Sequence, residues 1–236
     1  MADWVISDDQ GVAALDDARL VGVGEQPPEP LPAPIALRLH DIVVHDNKKW
    51  FNLFGGAEVR VDVLVVQGNL LDEQNATSFY TPTTHRFGDV RDETTLPLDE
   101  GGLLAFYGWP KHFLDMSVMV SRDTDRADDL AVLLSQAASS PELKASVDTA
   151  LQLAAGGGAL IVRNALEAAA VLGGFAYKLL RQVSGNTIGV YHGNRLEFPQ
   201  QFGLGQNPPD GGAYRQQDMS LRFDVMLAGA PAATTP

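Results

Sequence analysis

The sequence predicts a mainly β protein, an antiparallel β-sandwich with an inserted αα-hairpin, on three observations. Short apolar segments with period-two alternation recur along the chain, and polar turn residues separate nearly all of them. One Ala- and Leu-rich stretch breaks that pattern with helical spacing. Many short strands joined by turns favour a sandwich, whose loops cluster at its two ends. No repeat of roughly 20–50 residues is visible, which argues against a solenoid or propeller.

The elements follow in order. Residues 1–21 read as a short acidic segment, and the proline-crowded stretch 22–34 as an extended linker, since proline suits neither helix interior nor central strand. From Ile35 the chain alternates, with Leu37, Leu39, Asp41 and Val43 on one face and Arg38, His40, Ile42 and Val44 on the other. Glu58 to Gln67 sets Val59, Val61, Val63 and Val65 opposite Arg60 and Asp62, the pattern of a sheet with one wet face. Further strands are expected at Thr84–Val90, Gly102–Tyr107, Leu114–Val120, Thr187–Tyr191 and Met219–Leu227. The hairpin spans 139–183. Ser139 and Ser140 offer a cap ahead of Pro141, the first helix stops at Gly156–Gly158, and a second runs from about Ala159 to Val183. The sandwich domain covers 35–227, and 228–236 reads as a flexible tail.

Composition narrows the function. With 45% apolar residues in 236, the chain can bury a substantial core. Thirty acidic against 17 basic residues give a formal charge of -13, which repels phosphate backbones and makes unaided nucleic-acid binding unfavourable. The absence of cysteine removes disulfides, thiolate catalysis and zinc-thiolate sites. The N-terminus lacks a basic region followed by an apolar one, so a cytoplasmic protein is expected. No transmembrane segment is expected either, because Arg163, Glu167 and Lys178 interrupt the second hairpin helix. Asn75-Ala-Thr77 is a glycosylation sequon by chance match.

The most suggestive chemistry lies in Ser-Arg-Asp-Thr-Asp-Arg-Ala-Asp-Asp, where Asp123, Asp125, Asp128 and Asp129 directly follow an apolar strand. Crowded carboxylates repel one another unless solvent or a cation neutralises them, and clustered oxygens are what calcium requires. A solvated acidic turn in an acidic chain is the plain alternative. An EF-hand beginning at Asp123 is excluded, because Asp128 and Leu134 stand where its glycine and last acid belong. The order of strand, acidic loop, Glu58-Val-Arg-Val-Asp-Val-Leu-Val and then the Asp123 loop resembles a C-two domain, the calcium-dependent lipid-binding sandwich first described in protein kinase C. The resemblance covers about residues 35 to 135. It implies calcium ligands at Asp46 and Glu58 in the first loop and at Asp123, Asp125 and Asp129 in the third. The family's Asp-Pro-Tyr is replaced by Ala57-Glu58-Val59, and its last acid would fall nearer Ala131 than Asp129.

Other motifs carry less. His40-Asp41 and His45-Asp46 repeat a dipeptide of metal-dependent phosphohydrolases, but in a strand-like segment they read as local hydrogen-bonded pairs or exposed histidines. His85, His112 and His192 have no zinc-ligand spacing, and no Gly-x-Ser-x-Gly elbow precedes a helix. Gly203-Leu-Gly205 is followed by Pro208 and Pro209, which prevent a phosphate-binding helix. Trp109-Pro-Lys-His-Phe113 is either a turn with a half-buried Trp109 or a recognition surface.

The expected function is a non-enzymatic calcium-binding module. Bound calcium converts an acidic end into a positive platform that recruits lipid head groups or a protein partner. The alternative is an assembly protein that binds a partner chain through the hairpin and aromatic loops without metal. A hydrolase is the third reading, and it requires His40 or His45 to line a concave pocket with acids.

Overall fold

β-Branched runs and polar turns do form the strands that alternation predicts, and a computed structural model describes residues 31–49, 56–68, 79–123, 128–155, 161–183, 186–197 and 200–228. The strands are β1 (Ile35–Val44), β2 (Ala57–Gln67), β3 (Tyr80–Val90), β4 (Thr94–Thr95), β5 (Leu103–Gly108), β6 (Phe113–Arg122), β7 (Thr187–Leu196), β8 (Gly205–Asn207), β9 (Tyr214–Gln216) and β10 (Met219–Leu227). They build two antiparallel sheets. The first runs β4-β1-β10-β8, with β5 also paired to β1 and β9 to β10; the second runs β3-β2-β6-β7. The predicted sandwich is therefore present. The Pro-rich linker up to residue 30, the sequon and Gly156–Gly158 lie outside the described residues.

Two expectations about side-chain direction are corrected. In β1 the alternation slips at a bulge between Leu39 and Asp41 that leaves His40 without a partner in the β10 register. Leu37, Leu39, Ile42 and Val44 consequently all belong to the sandwich core, while Asp41 turns to the opposite face. Gly102 makes room there: a side chain on it would meet the Leu39 carbonyl at 2.5 Å, and its φ of +69° suits glycine.

The second correction concerns β2. Its Arg60–Asp62 face is not wet, because helices cover it. α2 (Pro141–Ala155) and α3 (Ile161–Val183) form the predicted hairpin, preceded by α1 (Leu130–Ala137), which sequence reasoning missed. Ser140 caps α2 by accepting the Leu143 N–H at 3.1 Å, as its place before Pro141 predicts. Leu172, Phe175, Ala176, Leu179 and Leu180 of α3 pack with Leu64 and Val66 of β2 and Phe113 and Met119 of β6 in a second core. The hairpin is thus a third layer, not an appendage. β2 and β6 serve both cores at once, so burial runs almost continuously along them. No described helix is long and apolar enough to cross a membrane.

Two buried charges under this layer pair with each other. Arg60 and Asp62, 1% and 0% exposed, form a two-point ion pair with Nε–Oδ2 at 2.6 Å and Nη2–Oδ1 at 2.8 Å. Thr84 Oγ1 donates to Asp62 at 2.7 Å and accepts the Leu130 N–H at 3.0 Å, while Arg60 Nη2 reaches the Asp128 carbonyl at 2.7 Å. Through these bonds sheet polarity fixes where α1 begins.

Candidate functional site

The acidic end of the sandwich is assembled from the close of β1, the start of β2, the close of β3 and the close of β6. Hydrogen bonds to backbone carbonyls bring the predicted loops together: the Asp123 N–H donates to the Glu58 carbonyl at 2.9 Å, and the Arg122 side chain donates through Nη1 to the Lys48 carbonyl at 3.0 Å. Asp46, Asp123 and Asp129, however, have basic partners. Arg86 of β3 bridges two of them, with Nε 2.8 Å from Asp123 and Nη1 2.6 Å from Asp129. The Asp129 hydrogen bond is the largest influence holding the Arg86 guanidinium above its ordinary pKa, burial opposing it and Asp123 adding to it. Asp46 accepts the Lys48 N–H at 2.7 Å, and Lys48 Nζ lies 3.5 Å from it while pairing closely with Asp218. That Asp218 bond is the chief reason the Lys48 pKa is raised.

Glu58 is exposed at the start of β2, beside Gly88. Asp125 lies outside the described residues. Among the described residues, no group of three or more His, Asp or Glu side chains is set to hold a metal ion. Sequence reasoning missed Arg86 because it stands 37 residues from Asp123 and 43 from Asp129, and only strand pairing joins them.

A second polar cluster lies beneath α3. Asp115 of β6, 1% exposed, faces His192 Nε2 at 3.3 Å, and His192 Nδ1 meets Ser117 Oγ at 2.9 Å. Cross-strand register sets this up, since Ser117 pairs with His192 and Asp115 with Asn194. Gly173 lets α3 close on the cluster: a Cβ there would stand 3.1 Å from both Asp115 Oδ2 and His192 Cε1. Burial pushes the Asp115 pKa up, with His192, Asn194 and Arg195 opposing it. A raised carboxyl pKa means the folded state holds its proton longer than the unfolded chain. Its contribution to stability is therefore fully present below the ordinary carboxylate pKa and is lost as pH rises toward the folded value. Asp115→Asn is expected to abolish that loss. Urea titrations from pH 4 upward should show the variant gaining on the wild type as pH rises, and a pH-independent difference would refute the assignment.

A third constellation involves the histidines of β1. Neither predicted His-Asp dipeptide pairs internally. His40 Nε2 lies 2.9 Å from the Asp224 carboxylate but off the line of a hydrogen bond. Asp41 pairs with Arg222 across the β1–β10 ladder. His45 Nδ1 meets Glu93 Oε2 at 2.9 Å, and its Nε2 meets Ser220 Oγ at 3.1 Å. Three elements place these groups. Ser220 comes from β10 opposite Val43, His45 continues β1 through its N–H bond to the Asp218 carbonyl, and Glu93 precedes β4, which pairs with Val43 and Val44. Glu93 holds a left-handed φ of 55°, an uncommon conformation for a residue other than glycine. Ser220 lines a cavity of about 280 Å³ on the outer face of the first sheet, whose other polar walls are Asp41, Thr95 and Arg222; neither His40 nor His45, which the hydrolase reading places in a pocket wall, is among its walls.

On the same sheet, edge strand β5 and the residue following it expose large apolar groups. Leu104 is 44%, Tyr107 62% and Trp109 51% exposed, so Trp109 is half-buried and presents the rest of its ring at the surface. Comparison of the chain with protein-family models, with curated proteins and with solved structures finds no match.

Proposed function

We propose that the chain is a metal-independent assembly module that pairs with a second copy of itself along β5. The observation that carries this reading is the exposure of Leu104, Tyr107 and Trp109 along a strand that, among the described residues, pairs only with β1. An edge strand offers backbone donors and acceptors for antiparallel pairing, and aromatic side chains supply the apolar anchor of an interface. A strand meeting its own copy about a twofold axis closes the assembly at a dimer. The helical hairpin is a weaker docking surface, since its apolar face packs on the second sheet. Light scattering during size exclusion should give twice the 25.3 kDa chain mass with chelator present, and Leu104→Asp with Tyr107→Asp should return the monomer. A monomer at every concentration removes the proposal.

Calcium binding is the second reading, and convergence of the Asp46, Glu58 and Asp123 loops at one end favours it. In that reading a lipid head group or an acidic protein surface completes the coordination. Arg86 weighs against it by supplying a fixed cation between Asp123 and Asp129. The unaltered chain is expected to give no heat on calcium titration and no shift in Tm. Arg86→Ala should acquire a calcium-dependent rise in Tm, because ligand binding to the folded state alone stabilises it. Calcium heat from the unaltered chain, lost in Asp123→Ala with Asp125→Ala, would restore the metal-dependent module.

A further inference from the structure

We propose that Ser220 is an activated nucleophile that takes up the acyl group of a small ester, with His45 as its base and Glu93 orienting the imidazole. This goes beyond assembly and does not depend on it. The two ring nitrogens of His45 are used as such chemistry requires. An ionised Glu93 carboxylate is an acceptor only, so the Nδ1 it meets at 2.9 Å carries the proton, which leaves Nε2 to accept from the Ser220 hydroxyl at 3.1 Å. The cavity supplies the place for a substrate. Val43 and Ala213 give it apolar walls for a short acyl chain, and Arg222, ion-paired with Asp41, lies on the wall that Ser220 shares.

The reaction balances with water as the only co-reactant. Ser220 Oγ bonds to the carbonyl carbon as its proton passes to His45 Nε2. The bond from that carbon to the alcohol oxygen then breaks, and the alcohol leaves with the proton. Water attacks the acyl-serine, returns a proton through His45 to Ser220 Oγ and releases the carboxylic acid.

The chain contains its own comparison. Ser117, His192 and Asp115 form a similar line beneath α3, but Ser117 is 0% exposed. A hydrogen-bond line that merely satisfies polar groups confers no reactivity on either serine. The full chain is treated with a fluorophosphonate probe, the adduct is located by peptide mass spectrometry, and turnover of p-nitrophenyl acetate is measured in parallel. The expected adduct lies on Ser220, it disappears in Ser220→Ala, and His45→Ala lowers ester turnover by about 100-fold or more. Ser117→Ala should retain both labelling and turnover. Mapping on the unaltered chain keeps the test decisive if Ser220→Ala does not fold. No adduct on Ser220, an adduct on Ser117, or turnover unchanged in His45→Ala each overturns the assignment.

Discussion

Asp62→Ala is expected to cost about 3–5 kcal/mol of folding stability, the range for removing one partner of a buried ion pair. The substitution leaves the Arg60 guanidinium, 1% exposed, beneath the helices without its carboxylate. The cost arises mainly from that stranded charge and less from the lost attraction, because desolvation has already consumed most of the Coulomb gain. Thr84 also loses its acceptor, and the link from Thr84 to the Leu130 N–H loosens with it. The effect should therefore extend to α1, visible as faster amide exchange at its first turn. A paired replacement, Arg60→Leu with Asp62→Leu, removes both charges together and should lie much closer to the wild type. Guanidinium titrations of the two variants separate the explanations. A loss below about 1 kcal/mol in Asp62→Ala would mean that water reaches the pair.

Phe223→Ala should be comparably severe, at about 3–5 kcal/mol. Phe223 is 1% exposed on β10, with its ring centroid 5.7 Å from that of Tyr191 and 5.8 Å from that of Tyr214. The Arg195 guanidinium lies 5.6 Å from the same ring, placing a cation over an aromatic face. Arg195 Nη2 also donates to the hydroxyls of Tyr191 and Tyr214, each at 3.2 Å. Removing the ring thus opens a cavity and weakens the packing of a charge whose donors hold two strands together. Phe223→Leu retains most of the volume and should cost clearly less, since volume-conserving changes are best tolerated. Equal losses in the two variants would assign the effect to aromatic contacts and not to the cavity. Thermal unfolding followed by near-ultraviolet circular dichroism reports both stability and the tyrosine environment.

How far the sequence could be read depended on whether the governing contact was local. The seven expected strands and the hairpin rest on periodicity and capping, which are properties of contiguous residues, and all are present. β4, β8 and β9, of two or three residues each, are too short for a period to show. α1 has only eight residues, directly after the acidic loop that drew a loop reading. The inward turn of Ile42 and Val44 was hidden because a single-residue bulge at His40 leaves no compositional mark. The acidic end was legible as a convergence of loops but not as chemistry. Its charges are set by Arg86 and Lys48, which strand order and loop geometry bring to the aspartates. The same holds for Ser220, His45 and Glu93, where the serine is 175 residues from the histidine. His45 was singled out by its neighbour Asp46, yet its partners come from elsewhere in the fold.

The layering bears on how this sequence can drift. Along β2 and β6 successive side chains point alternately into two different interiors, so neither strand offers a face on which neutral change can accumulate. On the first sheet the outward positions of β1 and β10 meet solvent or the cavity and are under lighter steric constraint. Descendants of a common ancestor should therefore retain β2 and β6 as unbroken blocks of similar residues. In β1 and β10 they should vary at every second position other than Asp41, Ser220 and Arg222 around the cavity, with the alternation in β1 resetting at His40.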